Sequence, residues 1–261
     1  MIEFTSDQVM AWVTSFLWPF VRILAFLAVA PMFGETSVPT RVKVGLAAVI
    51  SFIIAPTLPA FPAVAPVSFA GIWLIIQQVL IGIALGFVMR VVFATVQAAG
   101  DFIGLQMGLS FASFYSPDAG GTTMVLSRLL NLIAMLMFLA FNGHLVMIEV
   151  LVDTFIRLPI GAGTLHASAW ETIALWGGTI FSAGLLLSLP LVTALLIINL
   201  AMGILNRASP QLSIFSIGFP VTLLVGVVLL TFMTPELGSV FERLFQSGIE
   251  TMVNVIEAMN G

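Results

Sequence analysis

Long apolar runs separated by short polar punctuation make up most of the chain. The first run extends from Gln8 to Phe33, and GETSVPTRVK (Gly34 to Lys43) then brings polar and charged positions together. A second run, Val44 to Ala55, stops at Pro56, Pro59, Pro62 and Pro66, a charge-free and stiff linker. A third runs from Val67 to Met89, and beyond Arg90 an apolar but glycine-rich text continues to Arg128. Fourth, fifth and sixth runs cover Leu129 to Val152, Thr172 to Leu205 and Leu212 to Thr234, the last with Gly218 and Pro220 near its start. About 20 apolar residues carry a helix across a bilayer core, so the pattern predicts six hydrophobic helices. As one helix the fifth run would reach about 50 Å against a core of about 30 Å, which calls for tilt or a protein neighbour. Pro190 predicts a kink in it. From Pro235 onward Leu237, Val240, Phe241, Leu244 and Phe245 share a helical face, with Glu242, Arg243 and Glu250 elsewhere. That amphipathic tail suits either a partner or the membrane surface.

Composition turns the pattern into a class. Of 261 residues 60% are hydrophobic and 8% charged, and the mean hydropathy is +1.18, whereas soluble domains carry about 25% charged residues. The chain reads as an all-α, polytopic integral membrane protein with about six long, kinked helices packed as hairpins. A β-barrel would show short alternating strands instead. With no cysteine, disulfides, thiolate metal sites and cysteine nucleophiles are excluded. The opening MIEFTSD carries Glu3 and Asp7 and no basic residue, the wrong charge for a cleavable secretory signal, so the first run is expected to stay attached. A net charge of −4 offers no basic stripe for nucleic acid. If the six runs alternate, Arg41, Lys43, Arg90, Arg128 and Arg207 fall on one side, and Arg157 and Arg243 on the other with most of the acids. The positive-inside rule then puts both termini outside the cytoplasm.

Few residues invite chemistry. Arg22 interrupts the first run, where an unpaired cation costs at least about 2.5 kcal/mol; it reads either as an interfacial arginine or as half of a buried pair in an oligomer. Asp101, after Gly100, invites comparison with intramembrane aspartic proteases, but Ala98 stands where their motif has glycine and no second aspartate is evident. Ser110 and His144 would suit a serine protease, yet GLSF lacks the second glycine of a nucleophile elbow. His144 in FNGHL reads better as hydrogen-bonded within a bundle, with Asn142 and Gly143 marking a bend. Met107, Met124, Met135, Met137 and Met147 fit gap filling better than a soft-metal path. Gln77, Gln78, Asn131 and Asn199 read as interhelical hydrogen-bond donors, and Gly82 with Gly86 as a small-xxx-small packing face. No P-loop signature is present, so energy would come from elsewhere. A secondary transporter is the alternative, with Asp101 and Glu149 as its only candidate coupling acids.

The runs SVPTRVKVGLA (Ser37 to Ala47), QQVLIGIALGF (Gln77 to Phe87), IGLQMGLSFA (Ile103 to Ala112), FNGHL (Phe141 to Leu145), LPIG (Leu158 to Gly161) and LNRASPQLSIFSIGFP (Leu205 to Pro220) closely resemble the FliR family. These are export-gate proteins of the flagellar type III secretion system, with relatives in virulence injectisomes. The resemblance covers nearly the whole chain in order. One departure stands in the soft segment, where Ser116 precedes Pro117 and Asp118 follows it, although an acid is expected before the proline. The resemblance implies one subunit of a helical gate with several copies of FliP and FliQ, near FlhB, FlhA and proximal rod proteins, in the bacterial inner membrane at the flagellar basal body. It also implies a FliP-like region over 1–171 and a FliQ-like hairpin with the tail over 172–261. Such gates form cones raised above the bilayer, which would suit the overlong fifth run.

The segment QMGLSFASFYSPDAGGTT (Gln106 to Thr123) is too apolar for a surface loop and too rich in Gly, Ser and Pro for a stable helix. Gly104, Gly108, Gly120 and Gly121 give backbone freedom, and Met107, Phe111, Phe114 and Tyr115 give bulk able to dewet a narrow passage. With Ser110 and Pro117 they form the pore plug that the resemblance implies; the residues alone favour a re-entrant packing loop. Arg22, Gly82, Gly86, Asn142, His144, Asn206, Arg207, Pro210 and Gln211 are the positions expected to pack subunits together. No catalytic residue, cofactor or metal is expected; the expected cargo is unfolded export substrates.

Overall fold

The computed structural model describes residues 6–59, 62, 64–109, 125–161, 165–208 and 218–260. Among them are eight α-helices, one 3-10 turn (Ala55–Thr57) and no strand. The helices are α1 (Ser6–Val29), α2 (Thr40–Ile54), α3 (Phe69–Gln106), α4 (Val125–Ala140), α5 (Gly143–Arg157), α6 (Ala167–Gly177), α7 (Thr179–Ala208) and α8 (Phe219–Asn260). Five stretches are long and apolar enough to cross a membrane, six if α4 and α5 count as one broken span. The all-α, polytopic reading holds.

Several boundaries differ from those the pattern predicts. The third run does not end at Arg90, because α3 continues to Gln106. Arginine is a good helix former and Arg90 is exposed, while Val91, Val92, Val96, Ala99 and Ile103 stay buried on the continuing face. The fourth run, by contrast, is broken at the bend that Asn142 and Gly143 mark in the sequence: Asn142 takes a left-handed conformation (φ 55°) as the residue before α5. Asparagine tolerates that region because its short polar side chain bonds locally. The sixth run and the tail are one helix of 42 residues that passes through exposed Pro235. In the turn before it, Thr231 and Thr234 hydroxyls donate to the carbonyls four residues back, the local adjustment by which apolar helices absorb a proline. At 1.5 Å per residue α3 is about 57 Å long and α8 about 63 Å, both longer than a hydrocarbon core of about 30 Å.

The chain packs as two compact units, each assembled from separated stretches: Met1–Val91 with Asn142–Gly177 and Gln246–Gly261, and Val92–Phe141 with Gly178–Phe245. In the first unit α1 lies on α3 so closely that a methyl group at Gly82 would fall 2.8 Å from Ala25 Cβ and 2.9 Å from Phe26 N. One turn on, Gly86 meets Phe26 O at 2.9 Å and Ala30 N at 3.0 Å in the same sense. Ile23, Phe26, Leu27, Leu85, Val88, Met147, Leu151 and Phe155 fill this core. The end of α8 belongs to it as well, with Met252, Val255, Ile256 and Met259 buried. Its last turn is held by Ser168 Oγ donating to Ala258 O at 3.0 Å. The apolar face of the tail's last turns is therefore buried within the chain.

In the second unit Phe93, Phe138 and Phe245 form an aromatic cluster with centroids 5.1 to 5.6 Å apart, and Phe241 stands 6.3 Å from Phe245. Edge-on and offset pairs at these distances add to the area they bury.

Candidate functional site: the root of the glycine-aromatic segment

Most of the expected plug, Ser110, Phe111, Phe114, Tyr115, Pro117, Gly120 and Gly121, lies outside the described residues, as do Pro210 and Gln211. What is described is the frame that holds the segment at both ends, all within the second unit.

On the N-terminal side α3 ends at Gln106 and the chain turns at Gly108. Gly108 N–H donates to Leu105 O at 3.1 Å and Leu109 N–H to Gly104 O at 3.0 Å, the paired 5→2 and 6→1 bonds of a Schellman motif. Gly108 itself sits at φ 79°, a left-handed position that glycine reaches without a Cβ penalty. The turn leaves late carbonyls of α3 to be satisfied from outside the helix. Asn199 of α7 donates through Nδ2 to Gln106 O at 3.5 Å. Thr222 of α8 places its hydroxyl 3.4 Å from Met107 O and 3.1 Å from Phe219 O. Met107, only 2% exposed, lays its side chain against Gly226.

On the C-terminal side α4 is pressed onto α3. A methyl group at Gly100 would fall 2.5 Å from Ser127 Cα and 2.9 Å from Ser127 N, a backbone-to-backbone approach that only glycine permits. Ser127 Oγ, fully buried, donates to the Asp101 carboxylate. Asp101 is thus a structural acceptor that ties the two helices together beside the segment.

The other predicted positions are spread more widely. Arg22 is fully buried in the first unit, and among the described residues no acidic side chain lies at hydrogen-bond distance from it. Its guanidinium donates to Gln78 Oε1 at 2.7 Å, Thr154 Oγ1 at 2.9 Å and Leu158 O at 3.1 Å, and lies 4.3 Å from the Phe155 ring centroid. Hydrogen bonds to a charged group contribute about 1.5–3 kcal/mol each, so three of them outweigh an insertion cost of about 2.5–3.5 kcal/mol. The sequence leaves an interfacial arginine and a buried pair in an oligomer as alternatives; within the chain itself, neutral acceptors among the described residues solvate the cation. Gly82 and Gly86 face α1 of the same chain. His144 is half-buried in the first turn of α5, and its Nδ1 meets no hydrogen-bond partner among the described residues. Asn206 is half-buried and Arg207 exposed in the last turn of α7, where a cation complements the helix dipole. Among the described residues no three His, Asp or Glu side chains converge on a metal-sized site.

Sequence reasoning missed Thr222 and Gly226. A threonine and a glycine in an apolar run carry no signal of what packs on them.

Comparison with known proteins gives consistent matches over nearly the full length. The family described as bacterial export proteins, family 1, matches residues 13–248. The flagellar biosynthetic protein FliR of Escherichia coli (strain K12) is 49% identical over 260 residues, covering 99% of both chains. That of Pectobacterium carotovorum subsp. carotovorum is 46% identical, covering 100% of this chain and 99% of its own. The Bacillus subtilis (strain 168) protein is 28% identical over 93% of this chain and 94% of its own.

Proposed function

Because the chain belongs to the FliR family of bacterial export proteins, we propose that it is a non-enzymatic pore subunit of the flagellar type III export gate. In this reading it assembles with FliP and FliQ, beside FlhB, FlhA and proximal rod proteins, and passes unfolded flagellar proteins across the inner membrane. The segment 106–123 plugs the closed pore. Residues 1–171 act as the FliP-like part and 172–261 as the FliQ-like hairpin. The basic residues at the ends of α2, α4 and α7, namely Arg41, Arg128 and Arg207, face the cytoplasm and the termini face the periplasm.

The observation that carries the plug is the held root at Gln106–Gly108. A glycine-spaced aromatic segment can stopper a passage only if one end is fixed, and here a Schellman turn, two side-chain donors and a buried methionine fix it. Assembly is supported by unequal burial. Of the most apolar window in Phe69–Gln106, 67% of residues are buried, against 17% in Phe219–Asn260. Phe181, Leu186, Ile197, Leu200 and Ile204 of α7 are likewise exposed, which suits cover by sister subunits. A stand-alone transporter finds less support, since Asp101 is engaged by Ser127 and Glu149 lies exposed.

Deleting Gly108 to Gly121 and measuring ion leak through the assembled complex tests the reading. The expected result is a large rise in leak with assembly intact. An unchanged leak counts against the plug.

A further inference from the structure

The two ends of the 106–123 segment are held by contacts of different kinds. At Gly100 and Ser127 backbone presses on backbone, so α3 and α4 can part only if whole helices move. At the root of the segment the contacts are softer. Asn199 and Thr222 reach Gln106 O and Met107 O at 3.5 and 3.4 Å, longer than ordinary hydrogen bonds, and the Thr222 hydroxyl stands nearer to Phe219 O, at 3.1 Å. The remaining contact is a thioether in a glycine notch. A methyl group at Gly226 would fall 2.6 Å from Met107 Cγ, 2.7 Å from Cε and 2.8 Å from Sδ. Methionine is unbranched and adaptable, so it can leave and refill such a notch at little strain.

We propose that Met107 in the Gly226 notch is a releasable seat, occupied when the gate is closed and vacated when substrate passes. Asn199, Thr222 and Gly226 are its positioning residues, so the α7–α8 hairpin sets whether the root of the plug is held. The proposal rests on the plug reading above and adds the part of the fold that controls it. Packed side chains with two discrete arrangements are how such states are switched.

This chain has no native cysteine, so no other thiol of its own competes in the test. Met107→Cys with Gly226→Cys puts a sulfur at the place of Met107 Cγ, 2.6 Å from where a Cβ at position 226 would stand, so the two thiols are brought into each other's reach. In the complete gate complex, mild oxidation is expected to give the cross-link. The cross-linked gate should stay ion-tight and lose secretion, and reductant should restore it. Gly226→Ala is the second variant. Its methyl displaces a side chain that can rotate away, so assembly should persist while the held state is disfavoured roughly tenfold, the scale of one lost buried contact in a two-state equilibrium. Leak should rise accordingly. Failure of the assembled double variant to cross-link, or undiminished secretion once cross-linked, overturns the seat. So does an ion-tight Gly226→Ala gate. The deletion of Gly108 to Gly121, run alongside, separates the readings: if it leaks while these variants behave as wild type, only the seat is lost. If the deletion is silent, the plug itself is wrong.

Discussion

Arg22 Nε donates to Gln78 Oε1 at 2.7 Å, joining α1 to α3 at a point where both side chains are out of reach of water. The bond converts an isolated cation in an apolar helix into a fixed crosspiece of the first unit. Thr154 and Leu158 complete its shell from α5 and the residue after it. A buried charge held only by neutral acceptors depends on every one of them, because no counter-charge remains if an acceptor is lost.

Gln78→Leu should therefore be more damaging than its size suggests. It strands one guanidinium donor and is expected to cost about 1.5–3 kcal/mol. Thr154→Val likewise strands a single donor, Nη1, and should cost a similar amount. Arg22→Met combined with Gln78→Leu removes the charge with its acceptor and should recover most of the loss. The melting temperature of the purified complex, measured for wild type and the three variants, checks these outcomes. A double variant worse than Gln78→Leu alone would mean the cation itself is needed.

Gly82 and Gly86 are the next test, because their neighbours are backbone atoms and Cβ atoms of α1 that cannot rotate away. Alanine at either should cost about 1–3 kcal/mol through overpacking, seen as reduced folded subunit in the membrane. Gly45 and Gly203 have nothing within 4 Å, so alanine there should gain roughly 0.5–1 kcal/mol of helix stability in the isolated chain. A loss at Gly203 confined to the assembled complex would locate a partner's approach.

Asp101 separates the gate from the transporter. As an acceptor for Ser127 it should tolerate Asp101→Asn, which keeps a carbonyl oxygen in place, with secretion close to wild type. Ser127→Ala leaves a partly buried carboxylate without this donor and is expected to cost about 1–3 kcal/mol. Secretion assays and complex yield for both variants decide the matter. Secretion abolished by Asp101→Asn in a fully assembled complex would show that the carboxylate carries protons.

Much of this architecture is legible in the chain itself, and what is not has identifiable causes. Uninterrupted apolar runs disclose the helices because a bilayer demands length and composition together. The tail's face, Leu237 with Phe241 and Phe245, follows from 3.6-residue periodicity, and the break at Asn142 from its tolerance of positive φ. The shell of Arg22 is hidden, because its acceptors lie 56, 132 and 136 residues away in the chain and are an amide, a hydroxyl and a carbonyl. None of these is rare enough to point back. The end of α3 is obscured for the opposite reason: Arg90 looks like a boundary, yet a charge that faces outward does not interrupt a helix. Gly226 is the hardest to read, since a glycine in an apolar run names a notch but not what fills it.

Gly108 sits where helix gives way to the glycine-aromatic segment, and its φ of 79° is the conformation that side chains oppose. For an L-residue the left-handed region costs about 1–2 kcal/mol, with asparagine among the few exceptions. Gly108→Ala should strain the 5→2 and 6→1 bonds at Leu105 and Gly104 and misdirect the chain as it leaves α3. Leak through the closed gate should then increase in the order Gly, Asn, Ala, Val, while the melting temperature falls by little because the helix upstream keeps its packing. Conductance of the assembled complex in planar bilayers measures the order directly. Were alanine as tight as glycine and asparagine leakier, direction of the chain at this residue would have no part in closure, and the hold would rest on Met107 alone.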